Sequence, residues 1–121
     1  MTKERLTTGV VGEDATAESY RRRGYQVMVR NWRCSIGEID LVLTRGETLV
    51  FCEVKSRRGS GFGGGYEAVT ARKRQKLRAL AQTFLVVHGL NPHAIRFDVA
   101  SVVVGSGPSA STQVEVFQDA F

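Results

Sequence analysis

Cysteine, proline and histidine each occur only twice in 121 residues and tryptophan once, and each shortage removes a class of explanation. Cys34 and Cys52 do not make the framework of paired cysteines that staples a small secreted domain, and neither stands at a zinc-ligand spacing from His88 or His93. Cys52 alternates with Val50 and Val54, which marks it as a small core side chain. No apolar run approaches the ~20 residues of a membrane span. Met1 to Leu6 has no hydrophobic signal core, so a cytoplasmic protein without a membrane partner is expected. Acids are the scarcer charge, 12 against 17 Lys and Arg, for a formal charge of +5 and a pI near 9.7. That balance favours a polyanionic partner. The length suits one domain, 1–121, able to bury a core.

What is present alternates between helical and extended patterns. Val10 to Arg23 reads as a helix closed by Gly24, with Arg21, Arg22 and Arg23 at its negative end and an apolar face of Val10, Ala17 and Tyr20. Glu13 falls on that same stripe and so aims a carboxylate at the core or at a site on its edge. Tyr25 to Trp32 alternates as a strand with Tyr25, Val27 and Val29 on one face. Glu38 to Thr44 and Thr48 to Lys55 follow as two more strands, rich in branched apolar residues. The stretch from Ser56 to Gly65 holds five glycines and reads as a mobile loop carrying Arg57 and Arg58. A second helix is expected from Thr70, its N-cap, to His88, ended by Gly89 and Asn91-Pro92. Leu77, Leu80, Ala81, Phe84 and Leu85 form its core stripe, while its first half carries Arg72, Lys73, Arg74, Lys76 and Arg78. Ile95 to Val104 and Gln113 to Phe117 complete the strands, and Gln118 to Phe121 is left as a tail. Helix, three strands, helix, two strands gives an α/β architecture, a mixed sheet flanked by helices.

Chemistry concentrates in the central hairpin. If Gly46-Glu47 is a two-residue turn, with Gly46 at positive φ, the register sets Asp40 opposite Glu53 and Glu38 opposite Lys55. Opposed carboxylates destabilise a sheet unless a positive charge lies between them, and a divalent cation satisfies both. Ile39, Leu41 and Leu43 then form the buried face of one strand and Val50, Cys52 and Val54 that of the next, leaving the acids on the other face. Phosphodiester hydrolysis needs a cation, carboxylates to hold it and a group that positions the attacking water. Asp40 and Glu53 are the candidate Mg²⁺ or Mn²⁺ ligands, with the Val54 carbonyl; Lys55 orients water or stabilises the phosphorane, and Glu13 adds a carboxylate either to a second metal or through water. Glu38 is either a third ligand or the ion-pair partner of Lys55. The plainer reading of the whole set is a solvated strand face with ordinary ion pairs. Asp98 and Arg96 read as a structural pair. Arg57, Arg58, Lys73, Arg74 and Lys76 suit phosphate contacts, although such a run is also what a solvated face looks like. Trp32 and Tyr66 suit packing better than base stacking.

Gly12-Glu13, Gly37-Glu38-Ile39-Asp40-Leu41, Phe51-Cys52-Glu53-Val54-Lys55, Val69-Thr70 with Lys73 and Gln75-Lys76-Leu77, Arg96-Phe97-Asp98 and the closing Asp119-Ala120-Phe121 together resemble the YraN-type uncharacterised protein family. That family is similar to archaeal Holliday junction resolvases. The resemblance implies a restriction-endonuclease-like three-layer core with the PD-(D/E)xK signature. Its acids match Asp40 and Glu53, its lysine Lys55 and its helix-one glutamate Glu13, while Ile39 stands where the signature has proline. It further implies a metal-dependent endonuclease acting on DNA, with RNA left open, and a homodimer. A nucleic-acid-binding module with a vestigial site is the alternative.

Overall fold

The computed structural model describes residues 3–59, 70–105 and 111–121, with side chains from Thr8 onward. The elements are α1 (Lys3–Arg22), β1 (Gln26–Cys34), β2 (Gly37–Arg45), β3 (Thr48–Arg58), α2 (Ala71–His88), β4 (Ala94–Val104) and β5 (Thr112–Phe117). One mixed sheet holds all five strands in the order β1-β2-β3-β4-β5. β1, β2 and β3 form an antiparallel meander, β4 joins β3 in parallel after the α2 crossover, and β5 returns antiparallel to β4. The helices cover opposite faces of the sheet, giving the expected three layers. Tyr20 of α1 packs with Leu41, Leu43, Val50, Cys52 and Ala100, while Leu80, Ala81 and Phe84 of α2 pack with Ile39, Val42, Leu49 and Phe51.

The hairpin forms as the turn chemistry requires. Gly46 has φ 59, Arg45 pairs with Thr48, and the ladder runs back through Leu43↔Val50 to Leu41↔Cys52. α2 is capped at both ends: Thr70 Oγ1 accepts from the Lys73 N–H at 3.2 Å, and Gly89 has φ 63.

Three expectations are corrected. α1 begins at Lys3, well before Val10, because one glycine costs a helix only about 1 kcal/mol and no proline interrupts it. Val10 is 52% exposed and the buried stripe is Gly12, Thr16, Ala17 and Tyr20, with the Thr16 hydroxyl donating to the Gly12 carbonyl at 2.8 Å. Gly12 sits so close to the sheet that a β-carbon there would lie 2.8 Å from Ser56 Cβ. Second, β1 does not keep one alternation. A bulge between Val27 and Val29 puts Val27 against the α1-side cluster and Val29 against the α2 side. Asn31, between the Arg30↔Leu41 and Trp32↔Ile39 pairs, adopts φ 54. Ile39 therefore packs with Val42 under α2, not with Leu41 and Leu43. Third, Arg57 and Arg58 belong to β3, because parallel pairing with β4 continues to Arg58↔Val104. The glycine-rich remainder of that segment from residue 60 on, Tyr66, and the turn at Pro108 lie outside the described residues.

Candidate metal and phosphate site

Asp40 occupies the place where β2 and β3 part. The paired residues stop at Leu41↔Cys52, and from the next position the Asp40 carboxylate, through Oδ2, accepts the Val54 N–H at 2.8 Å. The N–H and C=O of one strand residue point to the same side, so the Val54 carbonyl also faces β2 beyond the last pair. Burial pushes the Asp40 carboxyl up to about 6; the Val54 N–H opposes this, and the charges of Glu53, Glu13 and Glu38 add to it. Four carboxylates are thus electrostatically coupled, with Asp40 at the centre.

Glu53, on the strand face shared with Phe51, lines the same cavity as Asp40. Its side chain is 12% exposed and its Oε2 lies 2.5 Å from Lys73 Nζ on the first turn of α2. Lys55 is two residues further along the face of Glu53, half-buried, and pairs with no carboxylate among the described residues. The structure therefore brings Asp40, Glu53 and the Val54 backbone together, while Lys55, two residues along β3 from Glu53, is not among the residues that line the cavity.

Glu13 and Glu38 are near but engaged. Glu13 Oε1 accepts from Asn31 Nδ2 at 3.0 Å and Arg30 at 3.3 Å. The left-handed turn at Asn31 is thus what hands β1 polar groups to the α1 carboxylate. Glu38 lines the cavity but pairs with Arg33 at 3.3 Å, its directly opposed residue across the β1–β2 ladder, and not with Lys55. Arg96 and Asp98 form the expected structural pair at 2.9 Å. Asp98 is fully buried and also accepts the Tyr20 hydroxyl at 2.6 Å and the Asp119 N–H at 3.0 Å. Burial drives the Tyr20 hydroxyl above its ordinary range, so it keeps the proton that it donates to Asp98. Trp32 packs edge-on against Phe84, ring centres 5.2 Å apart.

The cavity, about 220 Å³, has a polar side of Glu38, Asp40 and Glu53 and an apolar side of Phe51, Leu77, Phe97 and Phe121. Phe121 comes from the segment read in sequence only as a tail. The Ala120 N–H donates to the Phe97 carbonyl at 2.8 Å, and the Phe121 ring stacks on Phe97 at 5.3 Å. Of the proposed phosphate contacts, Lys73 is spent on Glu53, Arg58 Nε donates to Thr8 Oγ1 at 3.0 Å, and Arg57, Arg74 and Lys76 are exposed. Arg72, also exposed, joins them at the start of α2.

The donor set suits a hard divalent cation, which takes oxygen ligands. Mg²⁺ in particular keeps several waters and needs only one or two carboxylates. Among the described residues no three His, Cys, Asp or Glu side chains converge as a ready-made cage. A hydrated cation between Asp40 and Glu53 fits these residues; an all-protein cage does not.

Comparison with known proteins matches the sequence of this chain to a family. The profile of the uncharacterised protein family UPF0102 matches residues 12–102, a span that holds Glu13, Asp40, Glu53, Lys55 and Lys73. Similar proteins include a UPF0102 protein of Rhodococcus jostii, 42% identical over 96% of this chain and 97% of its own. One of Parafrankia is 49% identical over 78% of this chain and 80% of its own. One of Moorella thermoacetica is 41% identical over the full length of both.

Proposed function

The chain belongs to the uncharacterised protein family UPF0102, and from that premise we propose that it is a Mg²⁺- or Mn²⁺-dependent endonuclease hydrolysing phosphodiester bonds in DNA. The branched or flapped intermediates of repair and recombination are its substrates. One observation carries the reading: Asp40, its carboxyl pushed up to about 6, shares a cavity with Glu53 at the end of a strand ladder, with Lys55 on the adjoining strand face. Burial, with neighbouring carboxylates adding to it, makes a charge on Asp40 costly to the fold, and a bound cation would remove that cost. No helix among the described residues is long and apolar enough to cross a membrane. The reading puts the protein in the cytoplasm with its DNA.

A bound divalent cation supplies charge neutralisation at the phosphorane and a nucleophilic water at neutral pH. Asp40, Glu53 and the Val54 carbonyl would hold it. Lys55 positions the attacking water and donates hydrogen bonds to the non-bridging oxygens as charge builds on them. Glu13 reaches the site from α1 through water, at the cost of its bonds to Arg30 and Asn31. Arg57, Arg58, Arg74 and Lys76 meet the flanking phosphates, which sets register and affinity and carries no sequence information. Cutting two strands of a branched substrate symmetrically needs two sites related by a two-fold axis, hence a homodimer.

A second reading has its own observation. Each of Glu13, Glu38 and Glu53 already has a basic partner, an arrangement that also suits a nucleic-acid-binding module without turnover. Cleavage of labelled single-stranded, duplex, flap and four-way-junction DNA, with an RNA arm, separates the two. Cutting that requires Mg²⁺ or Mn²⁺ and stops in EDTA supports the nuclease. Salt-sensitive binding with no cutting in either metal supports the module.

A further inference from the structure

Glu53 already holds a cation. Its carboxylate is 2.5 Å from the Lys73 ammonium, and the two ends of the pair differ: the Glu53 side chain is 12% exposed and that of Lys73 44%. The carboxylate is fixed in the cavity wall by β3, whereas the ammonium arrives on a flexible four-carbon stem from the first turn of α2. That stem can swing out without moving the helix, whose start is held by the Thr70 cap on the Lys73 N–H. Asp40, on the same polar side of the cavity, has no cationic partner among the described residues and accepts the Val54 N–H. The site thus has one carboxylate neutralised by a displaceable side chain and one left for an incoming charge.

We infer that Lys73 is a latch on the cation site. It sits on Glu53 in the metal-free protein, a divalent cation binds by displacing it, and the released ammonium joins the cationic start of α2 to take a substrate phosphate. The inference rests on the metal-dependent reading above and adds a coupling to it. Metal frees a DNA contact, and DNA, by holding Lys73 away from Glu53, favours metal. Such linkage is reciprocal by thermodynamic necessity. It also gives a physical use to a lysine that competes with the metal for its own ligand: the bare site resists cations until nucleic acid is present.

Direct Mn²⁺ binding without DNA, followed by titration calorimetry and by the loss of the free-ion EPR signal, tests this on the full chain. Lys73→Met removes the competing charge at similar length and should bind Mn²⁺ about five- to tenfold more tightly than the wild type, the scale of a partly exposed ion pair. Lys73→Arg keeps the charge and should bind as weakly as the wild type. Mn²⁺ bound equally by all three proteins, or more weakly by Lys73→Met, overturns the latch while leaving the metal-dependent reading intact. Mn²⁺ bound by none of them overturns both. Thermal melts of each variant confirm that the comparison is between folded proteins.

Discussion

Asparagine at position 40 would keep the side-chain shape and an oxygen for the Val54 N–H while removing the charge that burial and Glu53, Glu13 and Glu38 oppose. The carboxyl there is pushed from its ordinary 3.8 up to about 6. A group that holds its proton more tightly in the folded state contributes stability below its unfolded pKa. That contribution is lost as pH rises from about 4 to about 6, and above 6 nothing of it remains. Relative to a neutral side chain of the same shape, an elevation of two units makes the ionised carboxylate cost the fold about 3 kcal/mol at pH 7.5. That cost is already net of the stronger hydrogen bond that a charged acceptor takes from the Val54 N–H. Asp40→Asn removes it, a gain of about 3 kcal/mol or roughly 10 °C in Tm for a domain of this size. Urea unfolding of both proteins from pH 4 to 8 measures it. The variant should gain on the wild type between pH 4 and 6 and keep a constant lead above. Saturating Mg²⁺ should narrow the lead by stabilising only the wild type. A variant less stable than the wild type at pH 7.5, or a difference that ignores pH, refutes the reasoning.

Lys55→Met should leave urea stability within about 0.5 kcal/mol and DNA affinity within a few-fold, and lower single-turnover cleavage about 100-fold or more. Gly12→Ala puts a β-carbon 1.8 Å from Ser56 Oγ and 2.8 Å from its Cβ. It should cost about 1–2 kcal/mol in urea unfolding despite the better helix former. Ser56→Gly in the same chain should recover most of that loss, and failure to recover it would place the crowding elsewhere. Tyr20→Phe removes the donor to buried Asp98 and should cost about 1.5–3 kcal/mol in the same assay, with Mn²⁺ affinity unchanged because Asp98 serves the core and not the site.

The parts of the fold written in local chemistry were legible in the sequence. Gly46 dictates the β2–β3 turn, that turn dictates the register, and the register carries Asp40 and Glu53 to the point where the β2–β3 pairing stops. Thr70, the stripe from Leu77 to Leu85, and Gly89 dictate α2 in the same way. What escaped was whatever alternation alone cannot carry. The bulge beside Met28 and the left-handed Asn31 shift β1 and β2 out of phase, so Ile39 changes face, and neither Met nor Asn announces this as glycine would. Val10 looked like core because it is apolar at helical spacing, but the stripe that meets the sheet runs through Gly12, Thr16, Ala17 and Tyr20 and leaves Val10 exposed. The Lys73–Glu53 pair and the stacking of Phe121 on Phe97 join residues brought near by the α2 crossover and the β5 return, distances that no periodicity encodes. The sequence signal for Lys73 was only its place in a basic run. That signal is shared with Arg72, Arg74 and Lys76, and nothing in the run marks which of the four meets Glu53.

The central claim is that Asp40 and Glu53 hold a cation that cuts DNA. The most direct measurement is the single-turnover cleavage rate of wild type, Asp40→Asn and Glu53→Gln on a labelled four-way junction or flap, in Mg²⁺ and in EDTA, with binding of the same DNA followed by anisotropy. Metal-dependent cutting by the wild type, absent in both variants while their DNA binding persists or tightens, is the predicted result. Cutting that survives either substitution or EDTA would contradict the account.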